Sequence, residues 1–271
     1  MAVSSLTAFL VPRVIGVLRG SWLLRRRSIQ RYAMRAGAFV LLMSMCSCGT
    51  NDDPGRALED ARRLAQKGDY EGALAKHVWF HENALAINSA YYGVRLSFAL
   101  GDWVELGKKY PKALDKLKSV RDEKTARLLA GHLDHDLFND VQSINDNLGE
   151  NTATVEIFKR IDVLNPDFAA QTYDLADEAL VEAQEYKLTR KYLGDPTKRL
   201  ATARENFEQG MQFAKASKHG DSSRRAFERI FEQRIVRIIT VLRETGEQES
   251  AKNIQMEALK AFDSAEIKNA L

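Results

Sequence analysis

His77 and His81, in "HVWFHE" (residues 77–82), stand four apart and, in a helix, share one face. Two imidazoles one turn apart can hold a single divalent metal. The glutamate follows the second histidine as Glu82, so the His-Glu-x-x-His order that supplies a zinc hydrolase with its base is missing. His132 and His135, in "GHLDHD", are a second possible pair. Histidines packed beside a tryptophan such as Trp79 need no metal. The chain has no serine-nucleophile motif and no phosphate-cradling glycine loop, and nothing selects a catalytic pair from its scattered carboxylates. These residues predict a protein that is not an enzyme and carries no metal or cofactor. A metal-dependent enzyme using His77 and His81 is the less favoured alternative.

Cysteine chemistry is confined to one place. Cys46 and Cys48 are the only two cysteines, which excludes an internal disulfide framework or thiolate metal site in the remainder. They follow "RAGAFVLLMSM", where Arg35 precedes an apolar run, 36–45, too short to span a bilayer but suited to the apolar region of an export signal. The first 48 residues hold seven arginines and no lysine or acid. Removing them from 40 basic and 37 acidic residues leaves 33 against 37, so the remainder carries −4 although the whole chain is at +3. A basic surface for nucleic acid is therefore not expected. The stretch "RAGAFVLLMSMCSCGT" resembles a bacterial lipoprotein signal, in which a small residue precedes a cysteine that is lipidated and becomes the new N-terminus. That resemblance implies lipid attachment at Cys48, after Ser47, with Cys46 as second choice. It divides the chain into a leader (1–47), a polar tether (48–54) and a helical domain (55–271), and it places the protein on the periplasmic face of a bacterial inner or outer membrane. A plain cleaved export signal and a transit peptide are the alternatives. Met34 offers a second start, with "MRAGAFVLLMSMCSC" as a compact signal.

The elements that would position these groups are helices. Prolines number five and glycines 16, charged residues make up 28%, and Ala, Leu, Glu, Lys and Arg dominate. In "DPGRALEDARRLAQKGDYEGALAKHV", Ala57, Leu58, Ala61, Leu64 and Ala65 recur at helical spacing. Gly68 then supplies the positive φ that stops a helix, Asp69 caps the next, and Tyr70 opens a second stripe with Ala73, Leu74 and Val78. Gly101-Asp102-Trp103 repeats the step 33 residues later, predicting a stop after "INSAYYGVRLSFAL" and a new helix from "WVELGKKY". Pro166 and Pro196 stand where first helical turns begin.

Gly68, Tyr70, Ala73 and Ala84, and again Gly246, Ala251 and Ala258, resemble the tetratricopeptide repeat, whose period is 34. The resemblance implies an all-α protein, an α-solenoid of antiparallel helical hairpins, irregular between residues 121 and 220; a non-repeat helical bundle is the alternative. In such arrays the first helices line a concave partner-binding groove, which here implies Arg62, Gln66, Tyr91 and Arg95, with Tyr and Arg as interface anchors. The expected function is an envelope-anchored scaffold or assembly factor that binds a protein or peptide and is held to the membrane by its N-terminal lipid. A soluble periplasmic module that captures a ligand is the alternative.

Overall fold

A computed structural model describes residues 53–218 and 220–271; the segment expected to act as a leader and Cys46 and Cys48 lie outside the described residues. Among the described residues 85% are helical and there is no strand. The helices are α1 (Pro54–Gln66), α2 (Tyr70–Ile87), a 3₁₀ turn (Ser89–Tyr91), α3 (Tyr92–Leu96), α4 (Phe98–Lys109), α5 (Pro111–Leu129), α6 (His135–Leu148) and α7 (Asn151–Leu164). They continue with α8 (Pro166–Glu182), α9 (Tyr186–Leu193), α10 (Pro196–Ala216), α11 (Gly220–Glu244), α12 (Gln248–Leu259) and α13 (Ala265–Lys268). Consecutive helices pack as pairs, most extensively α1 on α2, α7 on α8 and α10 on α11. All four described prolines, 54, 111, 166 and 196, open a helix, where the missing N–H costs nothing.

The stop at Gly68 forms as its sequence predicts. Its φ is +84°, and the Gly68 N–H bonds the Ala65 carbonyl while the Asp69 N–H bonds the Leu64 carbonyl. These two bonds satisfy carbonyls that the end of α1 would otherwise leave unpaired. The Asp69 carboxylate then accepts from the Gly72 N–H at 2.9 Å and caps α2. Gly246 repeats the arrangement between α11 and α12, with φ +86° and the Glu247 N–H on the Leu242 carbonyl.

Gly101 overturns the matching expectation. It lies inside α4, which runs unbroken from Phe98 to Lys109. The actual break falls earlier, at Asn88, where α2 ends, and at Ser97, whose backbone (φ −128°, ψ −91°) separates α3 from α4. The physical reason is the apolar stripe: Ala99, Leu100, Trp103, Leu106 and Gly107 are buried at helical spacing across the glycine. An interior glycine costs about 1 kcal/mol against alanine, and burying a large side chain such as Trp103 more than offsets it. Trp103 is 1% exposed and donates its indole N–H to the Ala113 carbonyl at 2.9 Å, joining α4 to α5.

The buried side chains form one large cluster from Leu128 onward, including Phe158, Tyr173, Ile235 and Leu242, and two smaller ones in α1 to α6. Trp103, Leu100, Leu117 and Ile144 centre one of the smaller clusters; Phe80, Ala84 and Leu58 centre the other.

Candidate functional site

Three of the residues singled out by sequence, His77, His81 and Arg95, meet in the α2–α6 region as a buried polar cluster. His77 and His81 extend from α2 to Trp103 of α4. The His77 ring stacks on the indole at 5.9 Å between centroids, and the His81 ring meets it edge-on at 6.0 Å. Both histidines are buried. Arg95 is also buried, and its guanidinium forks onto both oxygens of Asp140 on α6, at 2.5 and 2.8 Å. Its Nε donates to the His81 carbonyl at 2.8 Å, and Nη2 lies 3.2 Å from His81 Nε2. Lys124 Nζ adds a third contact to Asp140 at 2.6 Å.

Arginine only donates, so His81 Nε2 accepts and the ring proton sits on Nδ1. Burial, reinforced by the Arg95 charge, pushes the His81 pKa down to about 3. Burial likewise pushes His77 down to about 4. Burial alone would raise the Asp140 carboxyl, but the hydrogen bonds and charges of Arg95 and Lys124 outweigh it and hold the group below the usual carboxylate range. The cluster thus combines two neutral imidazoles with an ion triad of two cations and one anion. The lone pair that His81 would offer a metal faces a guanidinium. Among the described residues no group of three or more His, Cys, Asp or Glu side chains converges as a metal site would require. His135 is half-exposed beside Asp136, 3.7 Å away.

The four residues expected to line a groove do not share one surface environment. Arg62 pairs with Asp102 of α4 at 2.7 Å, and Gln66 is exposed on the last turn of α1. Tyr91 is half-buried, edge-on to Phe80 at 5.7 Å. Arg95, expected as an exposed anchor, is instead an interior ion-pair partner. The cause is local: the chain between Asn88 and Ser97 forms a 3₁₀ turn and a five-residue helix instead of one long first helix, and this rotates Arg95 toward α6. Arg62 and Arg95 therefore bind different helices.

Open surface concavity lies elsewhere, along α10 and α11. One cavity of about 170 Å³ is walled by Phe207, Phe227, Ile230 and Phe231, with Ala203 beneath. Phe207 stacks on Phe231 at 4.8 Å between centroids. Gly210 allows the two helices to approach: a Cβ there would lie 2.3 Å from the Phe227 ring. A second, polar cavity of about 310 Å³ adjoins it, lined by Asp174, Gly194, Asp195, Lys198 and Arg199. Arg234 lines both cavities.

The charges of the polar cavity are unequally committed. Arg199 pairs with Asp174, donates to the Leu193 carbonyl at 3.0 Å and lies over the Tyr173 ring at 5.0 Å. Asp195 caps α10 through the Thr197 N–H at 2.8 Å. Asp177, pushed up by burial, is held by Arg237 at 3.3 Å. Arg234 makes no hydrogen bond or ion pair with any described residue, and the exposed Lys198 ammonium makes none either. Sequence reasoning passed over Arg234 because α11 also carries arginines at 224, 225, 229, 237 and 243, and no local pattern marks the one that borders both cavities. In comparison with known proteins, no family model matches the chain and no curated relative is found.

Proposed function

We propose that this chain is a non-catalytic scaffold that binds a protein or peptide partner and is tethered to a bacterial envelope membrane through a lipid on Cys48. In this reading the paired helices are tetratricopeptide-like hairpins arranged as an α-solenoid. The observation that carries the binding half is the α10–α11 concavity, in which an apolar cavity adjoins a polar one and a guanidinium that makes no hydrogen bond or close ion pair borders both. Supporting the repeat half is the recurrence of the glycine-terminated turn at Gly68 and Gly246, each followed by a helix with buried alanines on its packed face. Supporting the tether is the apolar run that ends at Ser47-Cys48.

Membrane fractionation of cells expressing the chain and its Cys48→Ala variant tests the tether. Two or more acyl chains at about 0.8 kcal/mol per buried CH₂ hold a protein on a bilayer stably. The wild-type chain partitions with membranes, and the variant is released or accumulates unprocessed. Wild-type-like membrane recovery of the variant contradicts attachment at Cys48, and the mass of the N-terminal peptide then shows whether Cys46 carries the lipid.

A further inference from the structure

We infer that the α10–α11 cleft is the partner site, and that it takes a peptide segment with a large apolar side chain next to an acidic one. This inference rests on the scaffold reading and assigns it a surface and a chemistry.

The two cavities divide the cleft into an apolar part of about 170 Å³ and a polar part of about 310 Å³, room for one bulky side chain and for the polar residue beside it in a peptide. The walls of the apolar part are mainly aromatic and aliphatic, with Asn206 and Arg234 as the polar members, and Ile230 is 56% exposed, so apolar area remains in water until something covers it. Phe213, 62% exposed and edge-on to Phe227 at 6.3 Å, extends this apolar surface along the hairpin.

Charge argues for the acidic neighbour. Arg234 and Lys198 are the cations of the cleft without an ion-pair partner, while Arg199 is already held by Asp174. The anions nearby are hydrogen-bonded elsewhere: Asp195 caps its helix, and Asp177 is held by Arg237, with Arg234 acting on it only through its charge. An incoming carboxylate would meet a half-buried planar donor fork, which binds carboxylates through two parallel hydrogen bonds. Because Arg234 borders both cavities, one residue of the peptide fills the apolar cavity while its neighbour reaches the guanidinium. Arg234 is thus the hinge of specificity, and the phenylalanine walls supply the contact area.

The test presents the full-length chain, purified in detergent micelles, to an unbiased displayed peptide library. Affinities of selected peptides are then measured by fluorescence anisotropy on the wild type, Arg234→Gln and Ile230→Asp. Neither side chain is fully buried, and matching helical circular dichroism checks that both variants fold. Enriched peptides should share an apolar residue next to Asp or Glu. Each variant should weaken them at least about tenfold, and added salt should weaken binding to the wild type more than to Arg234→Gln. Enriched peptides that bind both variants as tightly as the wild type overturn the cleft assignment and leave the scaffold reading standing. No enrichment at all overturns both. Binding to phosphatidylglycerol vesicles in place of peptides, lost on Ile230→Asp, gives the apolar surface to a membrane and also overturns the assignment.

Discussion

Arg95 and Arg234 are two partly or fully sequestered arginines with opposite fates. Arg95 commits all three nitrogens of its guanidinium inside the protein, on both oxygens of Asp140 and on the carbonyl and ring of His81. Arg234 lies between two cavities with no bond at all. The difference separates a charge consumed by the fold from one that, in the proposed reading, is available to a partner. A buried, hydrogen-bonded ion pair adds little net stability over an apolar core, but losing one partner leaves the other desolvated and unpaired. A half-buried arginine with water access carries no such liability, and in the proposed reading its fork is the recognition element.

The largest expected effect concerns the setting of Arg95. His77 and His81 take up protons in the folded chain only near pH 4 and pH 3, whereas an unfolded imidazole does so near 6.5. Below pH 6.5 the unfolded state therefore binds protons that the folded state refuses. Stability is fully present above about pH 6.5 and falls as pH drops toward 4, by several kcal/mol for the pair. Denaturant melts between pH 7.5 and 4.5 read this slope, and replacing both histidines by glutamine should flatten it. An equally steep slope in the double variant would show that the histidines are not its source. The α10–α11 cleft contains no histidine among its lining residues, so the Arg234 side of the comparison contributes none of this slope.

A smaller effect, about 1 kcal/mol with opposite signs, separates the two Gly-Asp-aromatic steps that frame the Arg95 region. Gly68→Ala places a Cβ at φ +84° and should destabilise by about 1 kcal/mol. Gly101→Ala adds helix propensity inside α4, where the nearest neighbour, Asn147 Oδ1, lies an ordinary 3.8 Å from the new Cβ. It should stabilise by up to about 1 kcal/mol. Thermal melts of the two variants giving the same sign would remove the distinction between stop and helix interior.

That distinction marks how far the sequence could be read. The all-helical class, the stop at Gly68, the cap at Asp69 and the starts at Pro166 and Pro196 were legible because each follows from local backbone chemistry within a few residues. Gly101 was misleading for the converse reason: its role depends on the buried stripe from Ala99 to Gly107 and on α5 and α6 packing against it, which local propensity does not record. The shared helix face of His77 and His81 was visible, since it needs only a spacing of four. Their real partners were not, because Trp103 is 22 positions beyond His81 and Arg95 reaches Asp140 across 45. Arg95 looked like an anchor because tyrosine and arginine are common at interfaces, and the same chemistry serves a buried pair. Arg234 was silent, because being unpaired is a property of the folded surroundings and leaves no trace in the order of residues. Cys46 and Cys48 lie outside the described residues, so the reading of Cys48 stands on the sequence alone.

The division between a committed and a spare arginine is the centre of this account, and one paired measurement addresses it most directly. Urea unfolding of Arg95→Gln and Arg234→Gln, run side by side with the wild type at neutral pH, reads the stability each guanidinium supplies. Arg95→Gln should lose about 3 kcal/mol or more, because Asp140 stays buried with only Lys124 to hold it. Arg234→Gln should lie within about 0.5 kcal/mol of the wild type, as for a substitution that breaks no buried contact. Comparable losses in the two variants, or a larger loss at Arg234, would contradict the account.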